Sequence, residues 1–146
     1  MKVDFALACD YALIDQYGKL SVLGIFQHIW VAQFPTVHPR LHLVVRLKGK
    51  RTEVGQHHIL IRLLDEEGVQ ILNGEGTVTF NEPPAGVVEI EAGTVLAFDV
   101  PFRKPGRCQF EISIDGRIET TVPITVSQAP SAGAAPGAPG APRGVH

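Results

Sequence analysis

Residues 107–126, RCQFEISIDGRIETTVPITV, alternate apolar and polar side chains on both sides of Asp115-Gly116, and this period of two narrows the fold more than any other feature. Alternation places residues i and i+2 on one face of an extended chain, which is the pattern of a half-buried strand. Short runs rich in Val, Ile, Leu and Phe recur as far as Ser127, punctuated by Gly, Pro and Asp, and no long stretch has helical period. Strands are expected near 3–14, 20–31, 41–48, 57–65, 69–80, 94–100, 107–114 and 118–126. An apolar sheet face must be covered by a second layer. The expectation is therefore an all-β, two-layer antiparallel β-sandwich of about eight strands, immunoglobulin-like or jelly-roll-like.

Turn chemistry sets the registers. DQYGK (Asp15 to Lys19) and DEEGV (Asp65 to Val69) each carry Asp first and Gly three residues later, as suits a type I turn closed by a left-handed Gly. In the first hairpin this pairs Cys9 with Ile25, Tyr11 with Leu23 and Phe5 with Ile29. The row Val3, Phe5, Leu7, Cys9, Tyr11 then becomes the core candidate, together with Leu23, Ile25 and Ile29. In the last hairpin a two-residue Asp115-Gly116 turn would put Ile118, Val122, Ile124 and Val126 on the face opposite the apolar row of Phe110. A three-residue loop or an equivalent bulge restores the match, pairing Phe110 with Val122.

The 146 residues are 45% hydrophobic, enough for one domain with a core. The expected division is a β-sandwich over 1–127 and a disordered Ala/Pro/Gly-rich tail over 128–146, because SQAPSAGAAPGAPGAPRGVH offers little to bury. Thirteen basic against fifteen acidic side chains give a net charge of -2, so no global field draws the chain to a polyanion or an anionic membrane. Asp4 interrupts what would be the apolar segment of a signal peptide, and no apolar run is long enough for a membrane helix. Cys9 and Cys108 stand too far apart in sequence for a metal or redox motif and are expected to be reduced and buried. These points imply a cytoplasmic protein.

Three phrases, MKVDFALACDYALIDQYGKLSVLGIFQHIW, FPTVHPRLHLVVRL and PGRCQFEISIDGRIETTVPITV, resemble a family of small uncharacterised prokaryotic all-β proteins, a domain of unknown function. The resemblance covers Met1 to about Ser127. It implies a β-sandwich of bacterial origin and supplies no catalytic or ligand residues. The terminal hairpin is also similar to the last two strands of immunoglobulin-like sandwiches, a likeness of architecture and not of activity.

Chemical motifs are sparse. No nucleophile elbow, Ser-His-Asp order or H-E-x-x-H pattern occurs, and the glycines sit in turns or strands, so neither an enzyme nor a cofactor is expected. Adjacent His57 and His58 point to opposite faces of a strand, which argues against a metal site. Glu66-Glu67 and the pair Glu89 and Glu91 read as solvated charge, and Gly74 and Gly76 as a bulge or a close backbone approach. Two surfaces stand out. Phe26, His28, Trp30 and Phe34 form the partner-binding candidate: the hairpin register puts Phe26 and Trp30 on the non-core face, covered either by the loop FPTVHPR or by another molecule. Arg40, His42, Arg46, Lys48, Lys50 and Arg51 form a basic strand, an alternative site for a small ligand or nucleic acid. Nucleic acid is disfavoured there because no aromatic residues interleave with the cations. The expected function is a non-catalytic module that binds a protein, an unknown partner or a second copy of itself.

Overall fold

A computed structural model describes residues 1–130. The expected disorder from 128 onward therefore falls mostly outside the described residues. Nine strands follow in order: β1 (Lys2–Ile14), β2 (Leu20–Phe26), β3 (His28–Val31), β4 (Thr36–Lys50), β5 (Gly55–Leu64), β6 (Gln70–Phe80), β7 (Glu89–Phe102), β8 (Gly106–Ile114) and β9 (Arg117–Gln128). They form two sheets, one ordered β2-β1-β4-β7 and the other β3-β9-β8-β5-β6. The all-β expectation holds, with one strand more than the sequence suggested. Among the described residues no helix is long and apolar enough to cross a membrane.

The turn chemistry behaves as its residues dictate. Asp15 Oδ1 accepts the backbone N–H groups of Tyr17 and Lys19, Gly18 takes φ +79°, and Asp65 with Gly68 repeats the arrangement. The last hairpin turns on two residues, Asp115 (φ 49°) and Gly116 (φ 85°), pairing Ile114 with Arg117. A register shift between Ile112 and Ser113 then brings Phe110 opposite Val122. The bulge thus returns Val122, Ile124 and Val126 to the face of Phe110, whereas Ile118, before the shift, pairs with Ser113 and stays exposed.

The first hairpin departs from its expected register in two places. Cys9 faces Ile25 and Tyr11 faces Leu23 as expected, but Phe5 does not face Ile29. The chain leaves its sheet at Gln27, and β3 pairs in parallel with β9 in the other sheet, setting Ile29 beside Val126. The expected strand 20–31 is therefore two strands in two layers. The second departure is a bulge between Val3 and Phe5 against β4. One extra residue inverts the faces that follow. Val3, Ala6 and Ala8 consequently line the main core with Phe26, whereas Phe5, Leu7 and Cys9 pack on the outer face of the sheet around Val44. The expected core row is overturned from Phe5 onward.

The main core fills the space between the sheets with Leu41, Leu43, Val45 and Leu47 from one sheet and Ile29, Ile59, Ile61, Leu63, Phe110 and Ile112 from the other. At one lateral margin β6 approaches β7. A Cβ on Gly74 would lie 2.7 Å from Phe98 Cε1, so Gly74 is the close approach its sequence context suggested. The opposite margin is different. β1 pairs with β4 only as far as Cys9, and from Asp10 onward it pairs with β2 alone, as a two-stranded arm. Such a ribbon is marginal by itself. It is anchored by Ala12, Leu20 and Val22, which pack with Cys9, Val44 and Val95 on the outer face of the sheet.

Candidate functional site

The arm is the most distinctive surface of the molecule. Six of the thirteen large, exposed apolar side chains among the described residues lie in it: Tyr11, Leu13, Ile14, Tyr17, Leu23 and Ile25. Leu23 is 65% exposed, Ile25 63% and Tyr17 79%. Both rows of this hairpin are apolar in sequence, so packing one row onto the sheet leaves the other in water. The kink that permits this lies at Gly24, whose φ of +69° is open to glycine and whose missing side chain leaves room for the Asp10 carboxylate. β2 is also a sheet edge, and its sequence LSVLGIF carries no charged residue and no proline to discourage further pairing. The sequence reading passed over this face because it assigned the odd row to the core. The available signal was apolar character on both rows.

Phe26, His28, Trp30 and Phe34, expected together, are separated by the change of sheet. Phe26 and Phe34 are half-buried against the main core, and Phe26 packs beside His38, whose ring lies 5.8 Å away. Phe26 is thus on the core side and not, as expected, on the outer one, and His38 of the FPTVHPR segment, which is mostly the start of β4 and not a loop, contributes to its cover. Trp30 does face outward from β3. Its ring stacks on His28 at 4.2 Å with the planes 6° apart, and His28 Nε2 lies 2.8 Å from Ser127 Oγ.

The basic strand is largely neutralised. Arg46 pairs with Glu91 and, at 3.7 Å, with Asp4, while Lys48 lies 3.9 Å from Asp4 and from Glu89. Glu89 and Glu91 are thus partners for β4, not a catalytic pair. Arg51 ties down the segment before β7, reaching Glu82 at 2.6 Å and the carbonyl oxygens of Pro84 and Val87. His42 is buried beside the Tyr11 ring, and one ring nitrogen meets the Arg40 carbonyl at 2.8 Å. Arg40 sits at φ 52°, its backbone N–H donating to Asp99. Arg40 and Lys50 make no ion pair among the described residues. Alternating with acids from neighbouring strands, these cations present a mixed face and not a positive stripe.

Two further places hold concentrated polar chemistry. His57 meets Asp115 Oδ2 at 2.6 Å through Nδ1 and the Glu53 carbonyl at 2.7 Å through Nε2, so both ring nitrogens face acceptors. The Asp115 carboxylate first, and then the Glu53 carbonyl, raise the His57 pKa, while His57 and the His58 backbone N–H hold Asp115 below its usual range. At one end of the sandwich, the β5–β6 turn and the β7–β8 connection enclose a cleft of about 600 Å³. Cys108 lines it, its thiol pushed up to about 11 by burial first and then by Asp65 and Glu66. That thiol stays protonated at neutral pH and is no nucleophile. Among the described residues no three His, Cys, Asp or Glu side chains come together as metal ligands.

One family, described as a family of unknown function (DUF6941), matches residues 4–127 of this chain. The chain belongs to DUF6941. No curated protein matches it. The DUF6941 match opens inside β1 and closes inside β9, so it takes in the arm, the cleft and the His57–Asp115 pair, and stops short of the Ala/Pro/Gly-rich tail.

Proposed function

We propose that this DUF6941 protein is a non-catalytic interaction module that docks a protein partner through the β1–β2 arm, a second copy of itself being the simplest partner. One observation carries the reading: nearly half of the large exposed apolar residues among the described residues are gathered on one short ribbon that ends in an unpaired sheet edge. A patch of that kind, beside an edge without charge or proline, suits strand addition supported by apolar side-chain contacts. The neutralised face around Arg46 and Lys48 favours this over the nucleic-acid alternative. The strand order also supports an immunoglobulin-like lineage, since β1-β4-β7 against β5-β8-β9 matches the A-B-E and C-F-G arrangement of such domains. Two buried, unpaired cysteines fit a reducing compartment, in keeping with a cytoplasmic location.

The test is sedimentation of the full chain over a range of concentrations, beside the double variant Leu23→Lys and Ile25→Lys. Both residues are solvent-exposed, so the variant should keep the wild-type unfolding midpoint while losing association. Wild type that stays monomeric at its highest attainable concentration, or association equal in the two proteins, would overturn the reading.

A further inference from the structure

The cleft at the end of the sandwich supports an inference that does not depend on the arm. Its volume of about 600 Å³ falls in the range of small-ligand sites. The lining is mostly apolar, with Val69, Ile71, Pro101, Phe102, Pro105 and Cys108 among its residues. Six charged groups also border it, and they are not equivalent. The acids are committed to the chain itself: Asp65 Oδ1 accepts the backbone N–H groups of Glu67 and Val69, both at 2.9 Å. Glu66 Oε1 accepts the Arg107 backbone N–H at 2.6 Å, and Glu67 pairs with Lys104 at 3.0 Å. The guanidinium groups of Arg103 and Arg107, by contrast, make no hydrogen bond or ion pair among the described residues. Arg103 stands on the connection between Pro101 and Pro105 and Arg107 at the start of β8, where Glu66 holds its backbone N–H, so their backbone positions are set in advance. Unused donors beside an apolar wall call for an acceptor attached to an apolar body.

We propose that this cleft binds a small amphipathic monocarboxylic acid, its carboxylate held by Arg103 and Arg107 and its apolar body lying against Ile71, Phe102 and Cys108. The three acids balance the three cations of the lining, so it carries no net positive charge that would favour a phosphate dianion over a monoanion. The predominance of apolar lining favours a free acid over a peptide terminus, whose amide groups would need partners of their own.

A solution NMR titration of the full chain with octanoate tests the proposal, following the Val69 and Ile71 methyl groups and the arginine Nε–H signals. Octanamide, octyl phosphate and a blocked tripeptide with a free carboxylate are titrated in parallel. Octanoate should shift these signals saturably, and octanamide should bind at least tenfold more weakly, because the charge-assisted hydrogen bonds are lost. Arg103→Gln and Arg107→Gln should each weaken octanoate about tenfold while leaving the strand amide signals in place. If Arg107→Gln disturbs those signals, Arg103→Gln alone decides. Absence of a saturable shift, equal binding of octanamide, tighter binding of the phosphate or the peptide, or unchanged affinity in Arg103→Gln would each overturn it.

Discussion

His57 couples two loops through proton-dependent bonds. Both of its ring nitrogens face acceptors, so both must carry hydrogen for the contacts with Asp115 and Glu53 to exist together. The folded-state pKa of His57 is raised, which makes its contribution full below the unfolded histidine range and lost as pH rises through the folded value. Asp115 is lowered, so its share is present above the unfolded aspartate range and lost as pH falls through the depressed value. Stability from the pair should therefore span the interval between them and fade on the alkaline side. Thermal unfolding of wild type across neutral to alkaline pH should show that decline, and His57→Gln should flatten it; a slope unchanged in the variant would refute the assignment. Trp30 offers a second test. Its ring is 39% exposed and rests on His28, so Trp30→Ala removes a stacked contact and partial burial, not a core side chain. A loss of about 1–2 kcal/mol is expected by chemical denaturation, well under the cost of a buried aromatic. A loss in the range of core truncation would mean that the residue supports far more than its own surface.

The elements owe their paths to irregularities as much as to their regular alternation. The bulge between Val3 and Phe5 and the kink at Gly24 together put Ala6 and Ala8 inward, Cys9 outward and the arm over Val44. Gly24 is the more sensitive point. Its φ is +69°, and an added Cβ would sit 2.3 Å from Asp10 Oδ2. Gly24→Ala should therefore cost about 1–3 kcal/mol through backbone strain and the displaced carboxylate. Because the arm is the affected element, its amide protons should exchange faster while those of β8 and β9 keep their protection. Equal acceleration throughout the molecule would show that arm and sandwich unfold as one unit.

For the whole molecule, the sandwich depends on a few large side chains shared by both layers. Phe110 is fully buried, faces Val122 across the hairpin and lies 6.0 Å from the Phe98 ring of the opposite sheet. Phe110→Ala should cost about 3–5 kcal/mol in global stability, and a cost typical of a surface change would show the core to be loosely packed there. The same hairpin marks what the chain alone could tell. Its alternation, its Asp-Gly turn and the need to return Val122, Ile124 and Val126 to one face with Phe110 specified the strands and either a longer loop or a bulge without any knowledge of the partner sheet, as Asp15-Gly18 and Asp65-Gly68 specified their turns. These are local determinants: period, turn conformation and hydrogen bonds between near neighbours. The division of residues 20–31 between two sheets at Gln27 was not local, because only β9 supplies the parallel partner that draws β3 away. The fate of the arm's two apolar rows was not local either. Both are oily enough to be buried, and the outer face of one sheet had room for one. Arg46 and Lys48 likewise read as a positive strip until Asp4, Glu89 and Glu91 arrived from strands distant in sequence or across a turn. The cleft was hidden for the same reason, since its walls come from turns some forty residues apart, joined by Glu66 reaching the backbone of Arg107. Alternation and turn chemistry determined that the chain would form strands; competition among surfaces for a limited interior decided which of them would remain in water.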